Sequence, residues 1–231
     1  MECPIICFLD KIGDTRTLCF VGIIVCMILV YLIFTRHDKK RAEEIKKSAD
    51  LLNFTFASQQ QELLNALSDF KLFGIGYSRK ALNVLHGENE NIEWTVFDYQ
   101  YSLSSGRRSV TYTQTVAYTE IAGLSIPKFF IEAESFLHRL GDMIDQGDVN
   151  FEEFPVFSKK YILKADDEAA IRKFFTPEII KFFESRNSAV TVEASGNKII
   201  IYYLKVEVLS KELPSFIGDA AKIVKILAVN H

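Results

Sequence analysis

The chain has 231 residues, of which 48% are hydrophobic and 25% are charged, and its formal net charge is −3. This composition supports a packed core and excludes a largely disordered chain. The length allows one domain of ordinary size together with an appendage. All four cysteines, Cys3, Cys7, Cys19 and Cys26, lie near the N-terminus. The remainder of the chain therefore has neither a disulfide nor a thiolate metal site.

An uncharged apolar segment covers residues 17–35 and follows a short N-terminal tail, residues 1–16. As a helix it would span about 28 Å, close to the ~30 Å hydrocarbon core of a bilayer. A cleaved signal peptide is the alternative, but no small-x-small cleavage site follows the segment, and the next residues read RHDKKR. The segment is therefore predicted to be a transmembrane helix that contacts the lipid bilayer.

Basic residues are distributed unequally around this segment. Two precede it, Lys11 and Arg16, whereas Arg36, Lys39, Lys40, Arg41, Lys46 and Lys47 follow within twelve residues. The positive-inside rule predicts a single-pass protein of the inner membrane, with its N-terminus outside and its C-terminal domain in the cytoplasm. Cys3 and Cys7 would then lie outside, where a disulfide is an open question.

The basic stretch after the apolar segment, residues 36–47, carries a net charge of +3 and is the basic collar. Its main interpretation is a topology signal. Arg36, Lys39, Lys40 and Arg41 are additional candidates for contact with anionic lipid headgroups. The rest of the chain is acidic, which argues against nucleic acid as a partner.

The remaining chain is predicted to begin with helices and continue as a sheet. Residues 36–76 comprise the collar, a stalk helix at 39–52 and a packing helix that opens with a capping box at Ser58. Residues 77–231 form an α+β domain, a mostly antiparallel sheet covered by helices, with a pleckstrin-homology-like barrel as the alternative. The predicted strands are 81–86, 92–103, 109–121, 126–132, 160–164, 189–195 and 198–208, and the predicted helices are 134–144, 167–175, 177–185 and 211–229.

Two helix starts in this domain have specific signals. Thr176, Pro177 and Glu178 supply an N-cap, a proline at the first helical position and an early acid. Asp167 stands in a similar position before the preceding helix. The sequence therefore predicts two short helices here rather than one.

An aspartate interrupts a strand pattern in the run FDYQY, residues 97–101. Strands disfavour aspartate, and a buried carboxylate needs partners. A hairpin turn near Gly106 would place Asp98 opposite Gln114, whose side-chain amide can donate to the carboxylate. A slip of one residue would abolish the pairing. Asp98, Gln114, Tyr99 and Tyr101 are therefore predicted to be structural or binding residues.

Other candidate chemistry is weaker. One set places Glu134, His138 and Asp142 on one helix face, and another, made of Asp145, Asp148, Asn150 and Glu152, has some features of a calcium loop but lacks its glycine and its bidentate glutamate. No P-loop, HExxH or GxSxG motif is present. The sequence thus predicts no catalytic, cofactor-binding or metal residue. The adjacent phenylalanines at 129–130, 174–175 and 182–183 predict a thick core or, alternatively, a groove for a lipid or an apolar segment.

Several short motifs occur in a fixed order: Asn83-Val84-Leu85-x-Gly87, Phe97-Asp98-Tyr99-x-Tyr101, Gln114-Thr115-Val116, Ile126-Pro127-x-Phe129 and Phe157-Ser158-x-x-Tyr161-x-Leu163. Together they resemble a family of uncharacterised bacterial membrane-anchored proteins over about residues 75–229. Lys164-Ala165-Asp166 departs from the glycine expected before the acidic pair. The resemblance implies an N-terminal hydrophobic segment and a soluble domain, but no activity or ligand.

Two functional hypotheses follow. The first is a membrane-anchored interaction or scaffold module that holds an unknown protein partner or a lipid near the inner leaflet. The second is a membrane-associated enzyme of unrecognised type that uses Asp98, Glu120 or Glu132. A cleft with convergent acids and a perturbed carboxylate would favour the enzyme, whereas an exposed apolar groove would favour the interaction module.

Overall fold

The computed structural model describes residues 15–106, 108–133, 148–188 and 190–228. Their contacts divide the chain into two units, Met1–Glu44 and Ile45–His231. Several predicted features lie outside the described residues, namely the helix at 134–144 with Glu134, His138 and Asp142, the loop residue Asp145, and the cysteines Cys3 and Cys7.

The first helix, α1, spans Thr15–Leu52. No helix in the described part of the chain combines the length and the apolar character needed to cross a membrane. The predicted transmembrane helix at 17–35 is therefore wrong. The single-pass inner-membrane localisation that depended on it is wrong as well.

The unit Ile45–His231 alternates short helices with strands. The strands are β1 (Thr55–Gln59), β2 (Tyr77–Asn89), β3 (Ile92–Ser105), β4 (Arg108–Glu120), β5 (Ile126–Ala133), β6 (Tyr161–Ala165), β7 (Thr191–Gly196) and β8 (Lys198–Tyr202). The helices after α1 are α2 (Glu62–Ala66), α3 (Lys71–Gly74), α4 (Pro155–Lys160), α5 (Glu168–Phe174), α6 (Pro177–Ser185) and α7 (Leu213–Ala228), with a 3-10 turn at Ser210–Glu212.

The strands described form one sheet in the order β1-β2-β3-β4-β8-β7-β5-β6, and every pairing is antiparallel. The predicted α+β class and antiparallel sheet are confirmed. Among the described strands, β1 and β6 are edge strands that do not pair with each other. The sheet is therefore open, and the alternative of a pleckstrin-homology-like barrel is wrong.

One face of the sheet, here called the helix face, packs against the C-terminal helices. Its core contains Trp94, Val96, Ile131, Val192 and Ile201 from the strands, and it extends to buried residues of α4 to α7 and to Ile45 and Ala49 of α1. Phe129 stacks edge-on against Phe175, with ring centroids 5.2 Å apart. Alternation along each strand supplies this continuous apolar layer.

The opposite face, here called the cover face, packs against residues 60–76, the cover segment, which contains α2 and α3. Leu67, Phe70 and Phe73 of this segment contact Phe97 and Tyr99 of β3 within a second buried cluster. The Phe73 and Tyr99 rings lie edge to face at 4.8 Å. Both faces of the sheet are therefore buried near its centre, and this accounts for the many large side chains in β3.

Several local predictions can be compared with the structure. The capping box at Ser58 is wrong, because Ser58 lies in β1, which pairs with β2. The Asp167 carboxylate accepts from Ala170 N at 2.9 Å at the start of α5, and Pro177 opens α6, so both helix starts are confirmed. The last predicted strand is shorter than expected, since β8 ends at Tyr202.

The predicted pairing of Asp98 with Gln114 does not form. The register places Asp98 opposite Thr115 and Tyr99 opposite Gln114, which is a slip of one residue. Asp98 accepts from Thr115 Oγ1 and from Asn83 Nδ2, both at 2.9 Å. Because alternate residues point to opposite faces, the slip separates Asp98 from Gln114.

Thr115 links Asp98 to the loop after β8. Its hydroxyl also accepts from Val208 N at 2.9 Å, and its backbone N–H donates to Val206 O at 3.0 Å. The buried carboxylate thus orients a hydroxyl that in turn holds a loop. The partners that a strand aspartate requires are a threonine and an asparagine.

Replacing Thr115 by valine should destabilise the domain by about 1–3 kcal/mol, because Asp98 and Val208 N each lose a buried hydrogen-bond partner. Urea unfolding followed by fluorescence of Trp94, the single tryptophan, measures this. Thr113→Val, a half-buried position on the same strand, is the control and should change stability by less than ~0.5 kcal/mol. Equal unfolding midpoints for the two variants would contradict the link.

Gly87 is predicted to be intolerant of any side chain. A Cβ at this position would lie 2.2 Å from Phe54 Cδ1 and 2.4 Å from its Cγ. Gly87→Ala should therefore cost about 1–3 kcal/mol through overpacking. Gly218→Ala in α7, where nothing lies within 4 Å of the added carbon, should instead stabilise by ~0.5–1 kcal/mol. A neutral Gly87→Ala in the same unfolding experiment would contradict the close packing.

Candidate functional site

Two buried glutamates lie on the cover face where β5 and β7 pair. Glu132 is 1% exposed and Glu193 is 3% exposed. The register pairs Phe130 with Glu193, and Glu132 lies two residues further along the same face of β5. Thr191, two residues before Glu193, pairs with Tyr202 of β8. The sheet register therefore brings two carboxyl groups and a phenol to one region, here called the acid site.

Glu193 is fully engaged by hydrogen bonds. Its carboxylate accepts from Lys71 N at 2.6 Å, from Leu72 N at 3.1 Å and from Tyr202 OH at 2.9 Å. Burial raises the pKa of Glu193 to about 6, against the opposing effect of these hydrogen bonds and of the Lys71 charge. The Lys71 and Leu72 amides have no helical acceptor at the start of α3, so Glu193 ties the cover segment to the sheet.

Glu132 is different, because neither of its carboxyl oxygens has a hydrogen-bond partner among the described residues. Burial is the largest effect on this group and raises its pKa to about 7, with Glu193 adding to the rise. Lys71 and Lys205 act in the opposite direction. A buried carboxyl group without partners is costly when ionised. Glu132 is thus a group whose protonation changes near neutral pH.

Two tyrosines, Tyr101 and Tyr202, interact electrostatically with the carboxyl groups of the acid site. Burial raises the pKa of Tyr101 to about 12, and electrostatic interaction with the neighbouring Tyr112 and Glu132 acts in the same direction. The pKa of Tyr202 is raised well above its usual value by burial and by Glu193. Neither the Tyr101 nor the Tyr99 hydroxyl has a partner among the residues that the structure describes. These phenols remain protonated at neutral pH, and Tyr202 already donates its proton to the Glu193 carboxylate.

A cleft of about 310 Å³ opens beside Glu193. It is lined by the cover segment and by strands β5, β6 and β7, through Asp69, Phe70, Lys71, Lys128, Phe129, Phe130, Lys164, Ala165, Asp166, Glu193 and Ala194. This volume is at the lower end of the range for small-molecule sites. The Phe130 ring and several charged groups line the cleft, so its lining suits an amphipathic ligand.

The three lysines of the cleft have different surroundings. Lys128 pairs with Asp166 at 3.3 Å, and Lys164 pairs with Asp148 at 3.8 Å. The Lys71 ammonium instead lies 4.6 Å from the centroid of the Phe130 ring. No carboxylate of the described chain forms an ion pair with it. Lys71 is therefore the cation best placed to meet an anionic group in the cleft.

The adjacent phenylalanines Phe129 and Phe130 connect this cleft to the core. Phe129 contacts Phe174 and Phe175 on the helix face, whereas Phe130 lies on the cover face under Lys71. Consecutive strand residues point to opposite faces, so Phe129 packs on the helix face and Phe130 on the cover face. The Phe130 ring lines the cleft, which fits the predicted groove for a lipid or an apolar segment, but charged side chains line the cleft as well.

The predicted site residues are distributed over several regions. Asp98 lies among its Asn83 and Thr115 partners, and Gln114 Oε1 accepts from Lys205 N at 2.9 Å while its Nε2 lacks a partner among the described residues. Tyr99 and Tyr101 stack with ring centroids 5.3 Å apart. Whether these four residues have a binding role stays a prediction.

The collar residues Arg36, Lys39, Lys40 and Arg41 lie on α1, where Lys40 pairs with Glu44 at 3.7 Å. Their contact with anionic lipid headgroups stays a prediction. Within the described ranges, no group of three or more metal-ligating side chains converges.

The three acids of the enzyme hypothesis do not converge. Glu120 is exposed and accepts from Tyr118 OH at 3.0 Å and from Asn197 Nδ2 at 2.9 Å. Asp98 has its structural partners, so Glu132 alone has the character of a reactive carboxyl group. Sequence reasoning missed Glu193, although the signal was the same as for Asp98, a carboxylate between Val192 and Ala194 in a predicted strand.

No protein-family model matches the chain, and no curated protein matches it. Among solved structures, the crystal structure of the mycobacterial trehalose monomycolate transport factor A, TtfA, is similar over 70% of this chain and 80% of its own. The sequence identity is 12% and the TM-score is 0.47. These values assign no ligand, partner or activity to this chain. The resemblance to an uncharacterised family stays a prediction, because no matching family model tests its motifs.

The acid site predicts a pH dependence of stability. The native pKa of Glu132, about 7, lies above its ordinary value of 4.5, so the folded state binds the proton more tightly than the unfolded state. This contribution is complete below pH 4.5 and is lost as the pH rises through 7. It amounts to roughly 3 kcal/mol at about 1.4 kcal/mol per pKa unit.

Glu132→Gln removes this titration and should make the unfolding free energy less dependent on pH between 4.5 and 8. The variant should match the wild type in acid and exceed its stability at pH 8. Urea unfolding at several pH values measures the difference, with the exposed Glu153→Gln as the control. A wild type and a Glu132→Gln variant with parallel pH profiles would contradict the assignment.

Proposed function

We propose that the unit Ile45–His231 is a binding module for a small amphipathic ligand with an anionic group. The observation that carries this proposal is the cleft beside the acid site, where the Lys71 ammonium lies over the Phe130 ring without a carboxylate partner in the described chain. The anionic group would contact Lys71. The apolar part would lie against the Phe130 ring.

The charges around the cleft leave one place, beside Lys71, where an anionic group can bind. Lys128 and Lys164 are neutralised by Asp166 and Asp148, and the Glu193 carboxylate is directed toward backbone amides and a phenol. Asp69 remains on the rim and would repel an anion placed near it. The ligand head is therefore expected at Lys71, where a charge-assisted hydrogen bond contributes about 1.5–3 kcal/mol.

An enzyme is the second candidate, and the observation that favours it is the unpartnered Glu132, with its pKa of about 7. A general acid or base must reach its substrate within hydrogen-bond distance. The cleft is lined by Glu193 and not by Glu132. A ligand in this cleft would thus touch the engaged carboxylate rather than the reactive one, and we favour the binding module.

Isothermal titration calorimetry of the full chain with octanoate and octylammonium tests the proposal, because the two probes share a tail and differ in the sign of the head. Octanoate should bind more tightly. Lys71→Gln should weaken octanoate binding by about tenfold, which corresponds to ~1.4 kcal/mol. The exposed Lys211→Gln, outside the cleft lining, is the charge-matched control and should have no effect.

Equal affinities for the two probes would contradict an anion site. An octanoate affinity that is unchanged in Lys71→Gln would show that the octanoate binds elsewhere on the chain. The control variant separates a local effect of Lys71 from a general effect of net charge, since both variants remove one positive charge.

A further inference from the structure

Lys71 connects the cleft to the buried Glu132. The lysine lies over Phe130, and Phe130 and Glu132 are two residues apart on the same face of β5. Among the charges that act on Glu132, Lys71 has the largest effect. The two groups are nevertheless not in ion-pair contact, since neither Glu132 oxygen has a partner in the described chain. The ammonium is therefore positioned between the ligand cleft and a buried carboxyl group.

We propose that Lys71 is shared between the cleft and Glu132, so that an anionic ligand enters the cleft together with one proton, which the Glu132 carboxylate takes up. This inference rests on the proposed function and specifies how the same site is regulated. The proton comes from solvent and adds to the Glu132 carboxylate, and no other bond forms or breaks. The net charge of the site is then the same before and after binding.

The charged and titratable groups facing Glu132 come from several elements. Lys71 belongs to α3, Glu193 to β7, Tyr202 to β8, and Tyr101 to β3, while Lys205 lies in the loop after β8. Lys205 also lies 4.2 Å from the centroid of the Tyr112 ring. Glu193 keeps its three hydrogen bonds and the two phenols are neutral near pH 7. Lys71 is thus the charge whose influence on Glu132 an anion in the cleft would change most.

The direction of the coupling follows from electrostatics. Lys71 lowers the pKa of Glu132, which burial alone would raise further. An anion at Lys71 neutralises that effect and adds its own repulsion, so the pKa of Glu132 rises above about 7 when the ligand is bound. The complex then binds a proton that the free protein lacks at pH 7–8. Affinity should be highest below pH 7 and should fall as the pH rises through 8.

The test is calorimetric titration of the full chain with octanoate at pH 6.0, 7.0 and 8.5, in buffers with different ionisation enthalpies. Octanoate stays ionised throughout, so its own titration does not contribute. The affinity of the wild type should fall by about tenfold over this range, as expected for a change of one pKa unit. The buffer dependence of the heat should show uptake of about half a proton near pH 7.5, which is the largest uptake that a shift of one pKa unit produces. Glu132→Gln should bind octanoate with little pH dependence, whereas the exposed Glu153→Gln should behave like the wild type.

A second measurement uses the wild type alone. The carboxyl carbon of Glu132, followed by NMR, should titrate at a higher pH with octanoate than without it. An octanoate affinity that is independent of pH, or equally dependent on pH in the wild type and in Glu132→Gln, would overturn the coupling and leave the binding module in place. Failure of octanoate to bind at every pH would overturn the proposed function and the coupling together.

Discussion

The carboxylate of Glu193 connects the sheet with its cover segment, and the architecture of the site depends on this connection. It accepts two backbone N–H groups from the start of α3 and the hydroxyl of Tyr202. A four-residue helix has little stability of its own, because helix nucleation is unfavourable. The buried carboxylate and the apolar cluster beneath Phe70 and Phe73 hold it in place. One wall of the cleft, including Lys71, is positioned as a result.

The two glutamates show how environment separates identical side chains. Both are buried on one face of neighbouring strands, but Glu193 has three donors and Glu132 has none in the described chain. Hydrogen bonds favour the ionised form, whereas burial favours the neutral form. Glu193 therefore has a structural role that is compatible with its charge. Glu132 is left as a group that responds to nearby cations, and the proposed coupling uses this property.

The helix face also contains a buried strand carboxylate, but there all of the hydrogen-bonding requirements of the carboxylate are met. Asp98 is also a strand carboxylate in an apolar setting, and it is satisfied by Asn83 and Thr115. Thr115 in turn holds the loop at Val208, so the polar groups form a continuous chain of donors and acceptors. Such satisfied networks specify a structure without leaving a reactive group. The aspartate that is most conspicuous in the sequence is accordingly less suited to chemistry than Glu132.

The sequence by itself determined most strands, the antiparallel class and the starts of α5 and α6, because alternation, turn residues and helix caps are local signals. It did not determine the register at Asp98, since a shift of one residue leaves the local pattern unchanged. The sequence also did not predict β1, because TFASQ has no clear alternation of apolar and polar residues. This segment is extended because it pairs with β2. The acid site required the tertiary structure. Glu132, Glu193 and Lys71 are far apart in the chain, and only the strand order and the tie to the cover segment bring them together.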